Sequence, residues 1–166
     1  MRILLGIGLL LGAALLQVTL VTRITLLQGS ADLVLLVLIS WMLQPGNQPN
    51  WKWGLPPGLI LGYASALPDW VLLAGYVAAA GICQALKQRI WQGKLLALFS
   101  ATLACTLAVH VVTLSYLFLS SHPIDALEAF NLITVPSMLL NLILVLPVHG
   151  IIGEVTKLIA PRERPA

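Results

Sequence analysis

Three histidines, six carboxylates and two cysteines are the residues of this 166-residue chain with types suited to acid–base, metal or redox chemistry. Their spacing argues against most of it. No histidine stands in an H-x-x-x-H or H-E-x-x-H pattern, no nucleophile has a base nearby, no span holds paired carboxylates, and no glycine loop has the spacing that cradles phosphate. Cys83 and Cys105 lie inside apolar runs without ligand-spaced neighbours, which reads as inert buried thiols rather than a redox pair or a metal site. The expectation is a non-enzyme with no catalytic residue, no metal and no cofactor. The polar groups that remain are scattered. Asp32 and Asp69 stand at the starts of apolar runs, Gln17 is mid-run, His110 is deep in another, and Ser137, Asn141 and His149 share one helix face. A carboxylate at a helix start accepts orphan amide protons and meets the positive end of the helix dipole. Capping is thus the plain reading of Asp32 and Asp69, and a substrate or proton role the sharper one. For His110 the plain reading is a hydrogen bond across helices, against a proton relay or a ligand contact. Gln17 reads as an interhelical hydrogen-bonding group, and Pro136 frees a backbone carbonyl that nearby side chains are expected to satisfy.

The elements that position these groups are set by composition. Hydrophobic residues make up 59% of the chain and charged residues 9%, with a mean hydropathy of +0.97. Soluble domains run nearer 45–50% and ~25%. Those proportions exclude a water-soluble enzyme, a disordered tail and a nucleic-acid binder. Apolar runs cover approximately residues 3–22, 31–43, 55–67, 69–86, 95–119 and 130–159, predicting an all-α integral membrane protein, one compact bundle of six transmembrane helices. Several runs are too short to cross at right angles without bilayer thinning or protein cover. The first run is too long for a signal-peptide core, lacks an A-x-A site and is followed by further spans.

Loop charge supports the count. With the N-terminus inside, Arg2, Lys52, Lys87, Arg89, Lys94, Lys157, Arg162 and Arg164 fall inside and only Arg23 outside, a strongly positive-inside split. Five helices would place the 87–94 cluster and the C-terminal cluster on opposite sides. Trp41, Trp51, Trp53, Trp70 and Trp91 all stand at run ends, as an interfacial aromatic belt does. The 44–53 loop is irregular and expected on the inside, whereas the outer 120–128 loop carries His122, Asp125 and Glu128 without a basic residue. No span carries repeated charges or a polar stripe, so a channel or pump is not indicated.

Small residues recur at helical spacing. Gly54, Gly58, Gly62 and Ala66 form a stripe on the third helix, with shorter versions at Gly8 and Gly12 on the first and Gly75 and Ala79 on the fourth. Such stripes let helix backbones approach closely in lipid. Each either packs the bundle internally or faces a partner's transmembrane helix.

The order of motifs resembles the bacterial rod shape-determining MreD family. Gln17 followed by Val18-Thr19-Leu20 is similar to that family's opening helix. The segment 31–36 (ADLVLL) resembles its P-D-L-x-L-x start of the second helix. Gly54, Gly58 and Gly62 followed by Asp69 resemble its glycine-rich helix ending near an aspartate. Pro136, Asn141, Leu142 and Pro147-Val148 resemble its P-x(4)-N-x(5)-P-V last helix. Ala31 stands where the family usually has proline, Ala66-Leu67-Pro68 replaces its G-L before the aspartate, and His149 replaces a position that is often aromatic. The resemblance covers nearly the whole chain.

It implies a non-enzymatic subunit of the rod or elongation complex in the bacterial cytoplasmic membrane, with both termini cytoplasmic. The implied partner is an MreC-like bitopic protein. Through it come the glycosyltransferase RodA, its transpeptidase partner and the MreB filament. The implied fold is similar to the six-helix substrate-binding subunits of energy-coupling-factor vitamin transporters. On this reading the Gly54–Gly58–Gly62 face is the first choice for a partner helix and the Gly8–Gly12 face the second. The alternative is that the chain is itself such a substrate-binding subunit. A vitamin pocket needs polar and aromatic groups near the outer helix ends, where only Asp32, Asp69, Trp70, Tyr116 and the 120–128 loop are available.

Overall fold

A computed structural model describes residues 2–19, 25–89, 93–120 and 125–159. Helix α1 (Arg2–Thr19) leads to a two-stranded hairpin, β1 (Thr25–Leu26) and β2 (Gly29–Ser30), and then to α2 (Leu33–Leu43). A 3-10 turn (Trp51–Gly54) opens α3 (Leu55–Ala64), followed by α4 (Asp69–Arg89) and α5 (Lys94–Leu119). One turn of helix, α6 (Ala126–Ala129), runs through a π-helical turn (Phe130–Thr134) into α7 (Val135–Ile159). Arg23, Trp91, His122, Arg162 and Arg164 lie outside the described residues.

Four helical stretches, Arg2–Thr19, Asp69–Gln88, Lys94–Leu119 and Leu127–Leu158, are long and apolar enough to cross a membrane. The architecture is that of an all-α membrane bundle with one short hairpin. Its outer faces carry large apolar side chains such as Leu4 (75% exposed) and Leu158 (85% exposed). The expected count of six full spans is not matched by helix length. Helix α2 has 11 residues and α3 has 10. At ~1.5 Å per residue each covers about half of a ~30 Å hydrocarbon layer.

The shortness of α2 has a physical reason. Residues 34–42 are all buried, and the helix is apolar all round because protein, not lipid, surrounds it. Non-helical backbone at membrane depth is tolerated where protein encloses it, so this helix can begin and end inside the bundle. Trp41 at its last turn is 2% exposed and packs on Trp53 with ring centroids 5.7 Å apart. It therefore belongs to the core rather than to an interfacial belt. Trp51 and Trp70 are exposed, and Trp70 meets Tyr116 edge-on at 5.4 Å.

Consecutive segments run antiparallel. Arg2, the 44–50 loop, Lys87 and the His149–Gly153 stretch gather at one end. The hairpin, the start of α2 and the start of α7 gather at the other. The first residues of α1 and the last turns of α7 thus share an end of the bundle.

The π-helical turn comes from Pro136. Proline has no N–H to give the carbonyl four residues back, and its ring crowds that carbonyl. The carbonyl is that of Leu132, and it accepts instead from the Gln28 amide at 3.2 Å. A backbone amide of the hairpin, not a side chain, thus satisfies the acceptor that the proline releases.

Candidate functional site

The scattered polar residues of the sequence converge at the start of α2. The Asp32 carboxylate accepts from the Leu35 amide at 2.9 Å, capping the helix, and from the Tyr76 hydroxyl of α4 at 2.6 Å. Gln17 bridges the same turn, its side-chain NH2 donating to the Ala31 carbonyl at 2.9 Å while its oxygen accepts from the Leu33 amide at 2.7 Å. From α7, Asn141 accepts from the Asp32 amide at 2.8 Å and Ser137 from the Ser30 amide at 3.1 Å. Asn141 also donates to Thr106 of α5 at 3.0 Å. One turn further along α5, His110 shares a hydrogen bond at 3.1 Å with Thr134 of the π-helical turn. Five polar groups named from the sequence, Gln17, Asp32, His110, Ser137 and Asn141, thus lie along one ladder. Its rungs join α1, α2, α4, α5 and α7.

Two named residues stay apart from it. Asp69 lies in the first turn of α4 beside Gly62, where its charge meets the positive helix end. His149 sits at the opposite end of α7, where its carbonyl accepts from the Gln44 side chain at 3.2 Å and its ring Nδ1 is buried without a partner among the described residues. Sequence reasoning missed Tyr76, Thr106 and Thr134. The spacing of four between Thr106 and His110 was the available signal, whereas nothing local marked Tyr76. It also missed Gly29. A Cβ there would stand 2.6 Å from the Ile133 carbonyl oxygen and 2.7 Å from the Ser137 amide nitrogen, so the hairpin docks on the α7 break only because this residue has no side chain.

At the opposite end of α2 one ammonium closes the helix. Lys87 of α4 donates to the carbonyls of Met42, Gln44 and Asn47 at 2.7, 2.8 and 2.7 Å. Arg2 donates to the Gly46 carbonyl at 2.6 Å, and Gly46 holds φ +79°, a backbone region that favours glycine. The irregular loop is therefore fixed by two cations that the sequence offered only as topological charge.

The glycine stripes part company. A Cβ on Gly54 would overlap the Tyr76 carbonyl oxygen, one on Gly58 would stand 2.7 Å from the Leu73 Cα, and one on Gly62 would stand 3.0 Å from the Asp69 Cα. This stripe is filled by the backbone of α4 from the same chain, which corrects its placement as the first-choice partner face. Gly8 and Gly12 have no atom within 4 Å of an added Cβ. They flank an apolar groove of about 520 Å3 between α1 and α7, floored by Leu33 and Val37 of α2. Its α7 wall is Val148, Ile151 and Ile152.

Chemically, the ladder is a set of mutually satisfied donors and acceptors. Among the described residues no three His, Cys, Asp or Glu side chains come together as a metal-binding group. Cys83 and Cys105 are buried, free and 3.6 Å apart between α4 and α5. The ladder holds α2 in place, and the α1–α7 groove is an apolar surface that the described residues leave open. Comparisons with models of known protein families, with characterised proteins and with solved structures return no match.

Proposed function

We propose that this chain is a non-catalytic membrane subunit that seats the transmembrane helix of a single-span partner in the groove between α1 and α7. The observation that carries the reading is the open Gly8–Gly12 face, where two glycines four residues apart border an apolar trough floored by a rigidly capped helix. A helix bringing small or flat side chains to that face gains close backbone packing, the main source of helix affinity in lipid. The resemblance to the MreD family names the partner as an MreC-like bitopic protein and the setting as the rod complex of the bacterial cytoplasmic membrane. The end carrying Arg2, Lys52 and Lys87 is then cytoplasmic, and the six antiparallel segments, four long and two short, make the transporter-subunit-like bundle. Partner binding there regulates peptidoglycan synthesis and cell shape indirectly, through RodA, its transpeptidase partner and MreB.

The test is co-purification of a tagged copy, expressed at native level, from membranes in mild detergent, with mass spectrometry of the eluate. Recovery of a single-span coiled-coil protein with wall-synthesis enzymes supports the proposal. Gly8→Leu with Gly12→Leu then reduces that recovery, at ~1–2 kcal/mol per disrupted contact, while the chain still elutes as a folded monodisperse species. Gly58→Leu, by contrast, lowers the amount of folded chain itself. Recovery of paired ATPases with a large coupling membrane protein overturns the proposal and makes the chain a transporter's substrate-binding subunit.

A further inference from the structure

We propose that the Arg2–Lys52 end of the bundle binds one anionic phospholipid, its phosphodiester held between the two cations and an acyl chain laid along α1. Two depressions abut there. One, of about 270 Å3, is lined by Arg2, Gly46, Asn47 and Asn50 and is mixed in polarity. The other, of about 220 Å3, is mainly apolar and runs past Ile7, Lys52 and Pro56. Ile3, Asn50 and Trp53 line both, so they form a single slot that is polar at the loop and apolar along the helix.

The slot is built rather than incidental. Trp53, its shared wall, lies against α1 because Gly6 has no side chain, and a Cβ there would stand 2.6 Å from the indole. The Asn50 side-chain oxygen is committed to the Lys52 amide at 3.0 Å, which turns its NH2 group into a donor with no other partner among the described residues. Arg2 is oriented through one guanidinium nitrogen by the Gly46 carbonyl, and its remaining N–H groups are available. No carboxylate lines either depression, so two positive charges meet a neutral floor. Basic pockets between membrane helices select anionic headgroups in this way.

The apolar half identifies the ligand as an amphiphile. It continues onto the outer face of α1, where Ile3 and Leu4 are largely exposed, and that face meets hydrocarbon. A free phosphate leaves this half unused, whereas an acyl chain fills it. The proposal is independent of the partner reading, because the slot lies on the α3 side of α1 and the partner groove on its α7 side.

The test uses the whole purified chain, delipidated in mild detergent, with native mass spectrometry of bound lipid. Dioleoyl phosphatidylglycerol binds, whereas phosphatidylcholine with the same chains and inorganic phosphate do not compete with it. Lys52→Gln, which removes no internal hydrogen bond of the described residues, weakens binding about fivefold, and so does Arg2→Gln. Lys94→Gln, an exposed cation at the same end, leaves binding unchanged. Equal binding of phosphatidylcholine, an equal loss in Lys94→Gln, or full competition by phosphate each overturns the proposal. A photoreactive residue at Ile7 that crosslinks in native membranes to a protein instead of to lipid overturns it as well.

Discussion

Replacing Lys87 with methionine removes three donors while keeping the length of the side chain. In the folded chain that ammonium serves the Met42, Gln44 and Asn47 carbonyls, all within 2.8 Å. A hydrogen bond to a charged group contributes ~1.5–3 kcal/mol net. Three bonds on one ammonium do not add in full, and Lys87 is only partly buried, so water replaces part of the loss. The expected destabilisation is about 2–4 kcal/mol. Lys87→Gln, shorter but with two donors, should recover part of it, and Lys94→Met should cost nothing measurable. Unfolding in mixed micelles, followed through the tryptophan fluorescence of the Trp41–Trp53 pair, gives the free energy. Hydrogen exchange at the Asn47 amide, which donates to the Gln44 carbonyl at 3.3 Å, gives the local effect. A loss below ~0.5 kcal/mol with unchanged protection of Asn47 would refute the assignment of this ammonium as the closure of α2.

Further outcomes follow from the other contacts of the bundle. Gly29→Ala brings a methyl group onto two backbone atoms of the α7 break and should destabilise by ~1–3 kcal/mol, read as a lowered Tm in detergent. Gly150→Ala, where an added Cβ meets nothing within 4 Å, should be neutral or slightly stabilising. Tyr76→Phe removes the donor to the Asp32 carboxylate and should cost ~1–2 kcal/mol by the same unfolding assay. Asn141→Leu, which strands both the Asp32 amide and the Thr106 hydroxyl, should cost more than Tyr76→Phe; the reverse order would show that the ladder is not centred on Asn141.

Much of this arrangement was legible from local pattern. Asp32 before an apolar run reads as a cap because the carboxylate must lie within three residues of the amide it serves, and it accepts from Leu35. Helix positions followed from runs and their punctuation for the same reason. What lay beyond reach is long-range. The Asn141–Asp32 contact spans 109 positions, and no periodicity carries that information. Lys87 illustrates another limit. A lysine in the last turn of a helix carries the same local signature whether its ammonium meets water or three carbonyls of another segment. The Gly54–Gly58–Gly62 stripe shows that spacing identifies a close helix contact without saying which helix makes it, and here α4 of the same chain does.

The dependence of α2 on α7 also sets an order of events during synthesis. The amides of Ser30 and Asp32 find their acceptors in Ser137 and Asn141, residues translated more than a hundred positions later. At ribosomal rates of ~5–20 residues per second, that interval lasts roughly 5–20 s. Throughout it α2 is half the length of a bilayer crossing, capped locally by Asp32 and Gln17 but without its last partner. The nascent chain thus enters the membrane with its central helix only provisionally seated, and the arrival of the proline-broken helix closes it. A chain arrested before residue 137 leaves the Ser30 and Asp32 amides without these two acceptors.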